Sequence, residues 1–340
     1  MKELIRKLVQ TFGPSGVEEQ IRSVIRAEVE PFADEIRVDP LGSLVVRKQG
    51  SPSADPSTSS GQTREGQRIV LDAHMDEIGV MVTYIDEKGF ARLTRIGGVH
   101  PLTCVGTRVA FADGTAGVIG VEQKRDDTSK VPKFEQLYLD VGGTSRDDCP
   151  VHVGDAAVFV RPFTVQSTRL IAKAMDDRIG CAVLIETLRR LERTPHEVYF
   201  VFAVQEEVGL RGARTSAYGI DPDVAIAVDV TGTGDTPECQ PMAVELGKGP
   251  AVKVQDRGMI AHPAVRDLLV QRAQEANIPY QLEVLERGTT DAAAMQLVRA
   301  GVPSGCLSIP CRYVHTPSEM VDERDVENSV RLLLEVLRTT

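Results

Sequence analysis

Apolar residues recur at helical spacing from the start of the chain. Leu4, Ile5, Leu8 and Val9 predict a helix over residues 2–11, which Gly13-Pro14-Ser15-Gly16 ends. Val17, Ile21, Val24, Ile25 and Val29 predict a second helix from about 17 to 32, with Ser15 or Gly16 as its cap. Residues 36–38 and 43–46 read as two strands around the turn Asp39-Pro40-Leu41-Gly42. Residues 50–67, rich in Ser, Pro, Gly and Thr, bury too little surface to offset ordering and are expected to form an exposed, mobile loop. The apolar run 68–73 then suits a central strand that delivers His74-Met75-Asp76 at its carboxyl end.

The texture changes at about residue 79. Short β-branched runs (VMVTYI, ARLTRI, TRVAFA, AGVIGV, LYLDV, AAVFV) alternate with Gly and Asp turns up to 165, the pattern of a small all-β barrel or sandwich. Beyond Leu170 the pattern alternates between helix (177–191, 262–276, 292–300, 323–337) and strand (198–204, 224–230, 252–254, 280–284, 304–308). Such alternation predicts an α/β fold, a mainly parallel sheet flanked by helices. The expected organisation is a catalytic domain of residues 1–76 plus 167–340, interrupted by a β domain over 77–166 that serves as a lid. In open sheets of this kind, sites gather beyond the carboxyl ends of the strands.

Composition narrows the possibilities. With 39 Lys and Arg against 49 Asp and Glu among 340 residues, the net charge of −10 argues against nucleic acid or an anionic membrane as the main partner. The absence of tryptophan and an aromatic content of 4% fit poorly with a polysaccharide cleft. The six cysteines include no CxxC pair and read as free thiols of a reducing compartment. The amino terminus lacks the apolar core of a signal peptide, and no stretch approaches the roughly 18 apolar residues of a membrane span. A soluble, cytoplasmic protein is expected.

Polar clusters fall where predicted strands end or helices begin: His74-Met75-Asp76, Met175-Asp176-Asp177, Gln205-Glu206-Glu207, Asp229 after the run VAIAV, and His315. Each alone has an ordinary reading. A strand-end histidine can be a hydrogen-bonded structural residue, Asp176-Asp177 can cap a helix, and Glu206-Glu207 can be a solvated face. Asp229 is harder to dismiss, because an isolated buried carboxylate is costly to ionise. Two imidazoles and several carboxylates at one rim of a sheet form a ligand set for a pair of divalent cations, suited to Zn(II) or Co(II) and, through the carboxylates, Mn(II). A pair of cations needs a bridging carboxylate and a further, metal-free carboxylate to take a proton from water, and adjacent Glu206 and Glu207 can divide these roles.

The motifs PSGVEEQIR, DAHMDEIG (72–79), KAMDDRIG (173–180), QEEVGLRGA (205–213), AVDVT (227–231), RGTTDAAAM (287–295) and YVHTPSEM (313–320) occur in order over nearly the whole chain. In these the chain resembles the glutamyl/tetrahedral (deblocking) aminopeptidase family of dinuclear metallopeptidases. The resemblance implies that His74, Asp176 and Asp229 hold one metal and that Asp176, Glu207 and His315 hold the other, with Asp176 bridging. It also implies that Glu206 is the general base and that Asp76 orients a ligand imidazole. Asp177 is read as a helix-cap or support residue, and Asp291 either as a cap or as a group near substrate or sheet edge. His262 is read as a surface or helix-start residue in preference to a pocket wall, and His100, His152 and His196 as structural. The implied partners are peptide substrates and further copies of the chain, from dimers up to tetrahedral dodecamers, and the resemblance implies that the β domain over 77–166 also mediates the pairing of subunits. A related metal-dependent amidohydrolase or deacylase would share this ligand set. A glycoside hydrolase would need two carboxylates and no metal pair, and a non-catalytic assembly protein would need none of the ligands.

Overall fold

The computed structural model describes residues 1–50, 66–122 and 130–338. The mobile loop expected over 50–67 therefore lies, apart from its ends, outside the described residues. The chain opens with helices α1 (Lys2–Gln10) and α2 (Glu19–Val29), and a 3-10 turn over Glu30–Phe32 extends α2. Because α2 begins only at Glu19, Val17 precedes it and is exposed rather than on its apolar face. Ser15 does not cap α2 either; its hydroxyl donates to Asp76 Oδ2 at 2.6 Å.

Strands β1 (Glu35–Val38), β2 (Leu44–Lys48) and β3 (Arg68–His74) lead into a separate barrel. Strands β4 (Gly79–Ile85), β5 (Ala91–Ile96), β6 (Arg108–Phe111), β7 (Ala116–Val121), β8 (Leu137–Asp140) and β9 (Ala156–Phe159) close it in the order β4-β5-β8-β7-β6-β9. Alternate residues such as Val80, Val82, Leu93, Val109, Ile119 and Leu139 point inward and fill it.

The chain returns through β10 (Thr164–Gln166), β11 (Arg169–Ala172), α3 (Met175–Arg190), β12 (Glu197–Ala203), α4 (Arg211–Ile220) and β13 (Val224–Thr231). It continues through β14 (Ala251–Gln255), α5 (Pro263–Glu275), β15 (Gln281–Val284), α6 (Asp291–Gln296), β16 (Ser304–Arg312), β17 (Glu319–Asp322) and α7 (Glu323–Arg338). Strand β10, which the sequence places in the inserted part, pairs with β11 in the large sheet.

The large sheet runs β1-β2-β12-β3-β13-β16-β17-β11-β10, with β14 and β15 branching from β16. Its centre, β12-β3-β13-β16, is parallel, as is the β14–β15 pair; the flanking pairings are antiparallel, so the sheet is mixed. Both faces of the centre are covered, which is why its strands are almost continuously apolar. One face places Leu71, Phe200, Phe202, Ile226 and Val228 against the larger core that includes α1, α2, α3, α5 and α7. The other places Val70, Val201, Ala225 and Ala227 against Ala213, Ala217, Ala292 and Ala293 of α4 and α6, where small side chains let helix and sheet approach closely. Among the described residues no helix is long and apolar enough to cross a membrane.

Candidate metal centre

The two-residue period of a strand decides which groups meet. On β3, Val70, Asp72 and His74 share the α4/α6 face, and on β13 Ala225, Ala227 and Asp229 share the same face beside them, with Ala227 opposite Asp72. Strand β3 ends at His74 and β13 two residues beyond Asp229, so the two side chains meet near the sheet's carboxyl edge: His74 Nε2 lies 4.0 Å from Asp229 Oδ1.

Asp176 enters at the start of α3. It and Asp177 have non-helical dihedrals and are joined by a cis peptide. Asp177 Oδ1 accepts the Gly180 N–H at 3.0 Å, a helix-capping contact, while its Oδ2 is buried without a hydrogen-bond partner. Asp176 Oδ1 lies 3.0 Å from His74 Nε2, and its Oδ2 lies 3.1 Å from His315 Nε2. Glu207 Oε2 completes the second half at 3.3 Å from His315 Nε2. Glu206 points to the first half, with Oε2 3.9 Å from His74 Nε2.

The backbone of Glu206 and Glu207 is fixed by Asp76. Its Oδ1 accepts the Glu206 N–H at 3.0 Å and its Oδ2 the Glu207 N–H at 3.2 Å. The same carboxylate lies 3.4 Å from His74 Nδ1, on the edge of the ring opposite Asp176. His74, Asp76, Asp176, Glu206, Glu207, Asp229 and His315 are therefore all gathered at one place.

Other buried carboxyls crowd the same edge, and sequence reasoning gave Glu319 and Asp72 no role. Glu319 bonds the backbone of both Asp176 and His315. The side-chain oxygens of Asp72 and Asp291 are buried with no hydrogen-bond partner among the described residues, and burial pushes Asp72 up to about 7 and Asp291 well above the usual carboxylate range. Asp291 thus packs behind the site as the first residue of α6 instead of capping that helix. His262 is exposed at the start of α5, His100 caps the turn Pro101–Thr103, and His152 is exposed on the barrel.

Burial raises the carboxyls: Asp229, with Asp176 beside it, is pushed up to about 7, and Glu206 rises well above the usual range. Burial alone would lower the imidazoles, but their carboxylate neighbours outweigh it. Asp176 and Asp76 hold His74 well above its ordinary value, and Asp176 and Glu207 push His315 up to about 12. The two imidazoles cannot balance this many buried acids, so the site calls for additional positive charge. The donor set fits a divalent ion. One atom each from His74, Asp177 and Asp229, or from His74, Asp176 and Glu207, falls within 4.8 Å of the others, and the buried Glu207 Oε1 has no hydrogen-bond partner.

A helix-flanked mixed sheet with an inserted barrel, carrying a His and carboxylate centre at its carboxyl edge, defines a metal-dependent hydrolase. The model of the M42 glutamyl aminopeptidase family matches residues 57–332, and the chain belongs to that family. It is a peptidase of the aminopeptidase type. A relative from Acetivibrio thermocellus, an aminopeptidase by name, is 48% identical over 339 residues, covering 99% of this chain and 98% of its own. The aminopeptidase APDkam598 of the archaeon Desulfurococcus kamchatkensis superposes with a TM-score of 0.93 at 40% identity, covering 99% of this chain and 94% of its own. The TET1 peptidase of Pyrococcus horikoshii, described as assembling into a tetrahedron or a large octahedral shell, superposes with a TM-score of 0.86 at 31% identity over 99% of both chains. Family membership selects the peptidase reading over the glycosidase and non-catalytic alternatives.

Proposed function

We propose that the chain is an aminopeptidase with two divalent ions per subunit, Zn(II) or Co(II) foremost and Mn(II) also accommodated, that removes amino-terminal residues from short peptides. His74, Asp176 and Asp229 hold one ion, and Asp176, Glu207 and His315 hold the other. The observation that carries this reading is the division of Asp176, one oxygen toward each imidazole at 3.0 and 3.1 Å. Bound there, such ions acidify water and polarise the scissile carbonyl. Glu206 takes the proton of the attacking water and passes it to the leaving amine; its burial keeps it basic enough for that exchange. Asp76 holds Glu206 and Glu207 in register and aims the His74 ring. The barrel serves as a lid, and copies of the chain assemble, as the TET1 peptidase does, into a closed shell that admits short or unfolded peptides.

The test pairs elemental analysis with activity on one peptide in unblocked and amino-acetylated forms. The reading expects two ions per chain, loss of activity on chelation, recovery with Zn(II) or Co(II), and cleavage of the unblocked peptide alone. Preference for the acetylated form would favour the deacylase reading, and one ion per chain would defeat the bridging role of Asp176. Mass measurement in solution tests assembly: a monomer at working concentration would remove the shell.

A further inference from the structure

We propose that the inserted barrel is part of the metal centre through Gly98, a positioning residue whose bare backbone fixes the ring of His315. The inference rests on the assignment of His315 as a ligand.

Gly97 and Gly98 follow β5, at the rim of the barrel that faces the catalytic body. A Cβ placed on Gly98 would lie 2.6 Å from His315 Cε1 and closer still to Nδ1. A Cβ on Gly97 would lie 2.7 Å from Glu207 Oε2 and 3.1 Å from Glu207 Cβ, and Gly97 also has a φ of +72°. Two adjacent glycines of one domain therefore touch two candidate ligands carried by the other. Both ligands belong to the same half of the centre.

The contact falls on the edge of the ring that needs support. His315 Nε2 faces Asp176 and Glu207, so the Nδ1 edge that meets Gly98 is the opposite one. A ligand imidazole is normally aimed by a partner on its second nitrogen. For His74 that partner is Asp76, whose backbone carbonyl lies 3.2 Å and whose carboxylate lies 3.4 Å from Nδ1. For His315 the neighbour at that edge is Gly98, at a distance that leaves no room for a side chain. The ring is partly exposed, with 38% of its side-chain surface open to solvent, so the cleft side leaves it room to turn away. The main chain of His315 is held separately by Glu319 and lies in the left-handed region at φ 61°. A methyl group at position 98 would thus displace the ring while leaving its backbone anchored. In metal-free protein the rotation strains the pairs that Nε2 makes with Asp176 and Glu207, and in metal-loaded protein it also moves the ligand atom with the ring.

Four proteins decide the matter: wild type, Gly98→Ala, His315→Ala and the double variant. The readouts are ions per chain and Zn(II) affinity by equilibrium dialysis with elemental analysis, and thermal unfolding of the metal-free proteins. Gly98→Ala is expected to weaken one of the two ions by about tenfold or more, while the metal-free protein loses no more thermal stability than His315→Ala does. In the His315→Ala background the same change is expected to cost no further affinity, because the ring it displaces is gone. Wild-type affinity in Gly98→Ala overturns the proposal, as does an equal loss in both backgrounds. Should Gly98→Ala fail to fold, recovery in the double variant supports the ring contact, and continued failure overturns it. Wild-type loading of His315→Ala would instead defeat the ligand assignment itself.

Discussion

The carboxylate of Glu319 holds the backbone of Asp176: its Oε2 accepts the Asp176 N–H at 3.0 Å, and its Oε1 accepts the His315 N–H at 2.8 Å. One buried side chain on β17 thus ties the start of α3 to the loop that follows β16, and with them two of the proposed ligands. Glu319→Gln keeps the shape but replaces one acceptor by an NH2 group, which must then face an N–H. A lost partner of this kind costs about 1–3 kcal/mol. Metal-free Glu319→Gln is therefore expected to unfold at lower denaturant concentration, and its Zn(II) affinity should fall as well. Unchanged stability and affinity would mean that Glu319 is no clamp.

Glu206 differs from its neighbour in what it touches. Glu207 Oε2 is 3.3 Å from His315 Nε2, whereas the nearest imidazole nitrogen to Glu206 Oε2 is 3.9 Å away. Glu206→Gln should keep both ions, measured by elemental analysis, while kcat falls on the order of 10³-fold, within the range for loss of a general base. A variant that turns over at nearly the wild-type rate would take Glu206 out of the chemistry.

Metal loading should release protons. In the metal-free protein, carboxylates hold His315 up to about 12 and His74 well above its usual value, so both rings enter binding protonated at neutral pH. A ring must be neutral to bind a metal. Because these values are raised, the protons compete throughout the neutral range, and metal affinity rises as pH rises. Calorimetric titration of metal-free protein with Zn(II) at one pH, in buffers of different ionisation heat, should reveal at least one proton released per imidazole. Heats independent of the buffer would contradict the protonated pairs.

Much of this centre is legible in the sequence because it sits where patterns change. His74 ends an apolar strand, Asp229 lies two residues before the end of another, Asp176 stands at the start of a helix, and Glu206-Glu207 follows a strand. The supporting groups are not legible in the same way. Glu319, Asp72 and Gly98 act on residues far along the chain, and nothing local distinguishes them from an ordinary strand acid or turn glycine. Helix α4 escapes because its buried face is built from Gly212, Ala213, Ser216 and Ala217, with Ile220 alone bulky; small residues suit the close approach to β3 and β12 but do not stand out as an apolar run. The antiparallel flanks escape for another reason. Alternation along a strand such as β11 or β17 says which face is buried and nothing about the direction of its neighbour.

Behind Asp229 lies a buried charge pair that the sequence gives no hint of. Lys253 on β14 and Glu283 on β15 are opposite each other in register, both fully buried, with Nζ 2.8 Å from Oε1. The hydroxyls of Thr231 and Ser308 donate to the same carboxylate at 2.6 and 2.5 Å, so every group in the cluster has a partner. Burial would lower Lys253, but Glu283 outweighs it and holds the ammonium above its usual value. The lysine charge also favours ionised Asp229, which links this pair to the metal centre. Lys253→Met fills most of the space but leaves Glu283 a buried charge without its cation, a change that costs about 3–5 kcal/mol. Lys253→Met combined with Glu283→Gln removes both charges and should recover a large part of that loss. Urea unfolding of the metal-free proteins measures both steps. If the double variant is as unstable as Lys253→Met alone, the cost comes from packing at position 253 and the charge pair does not account for it.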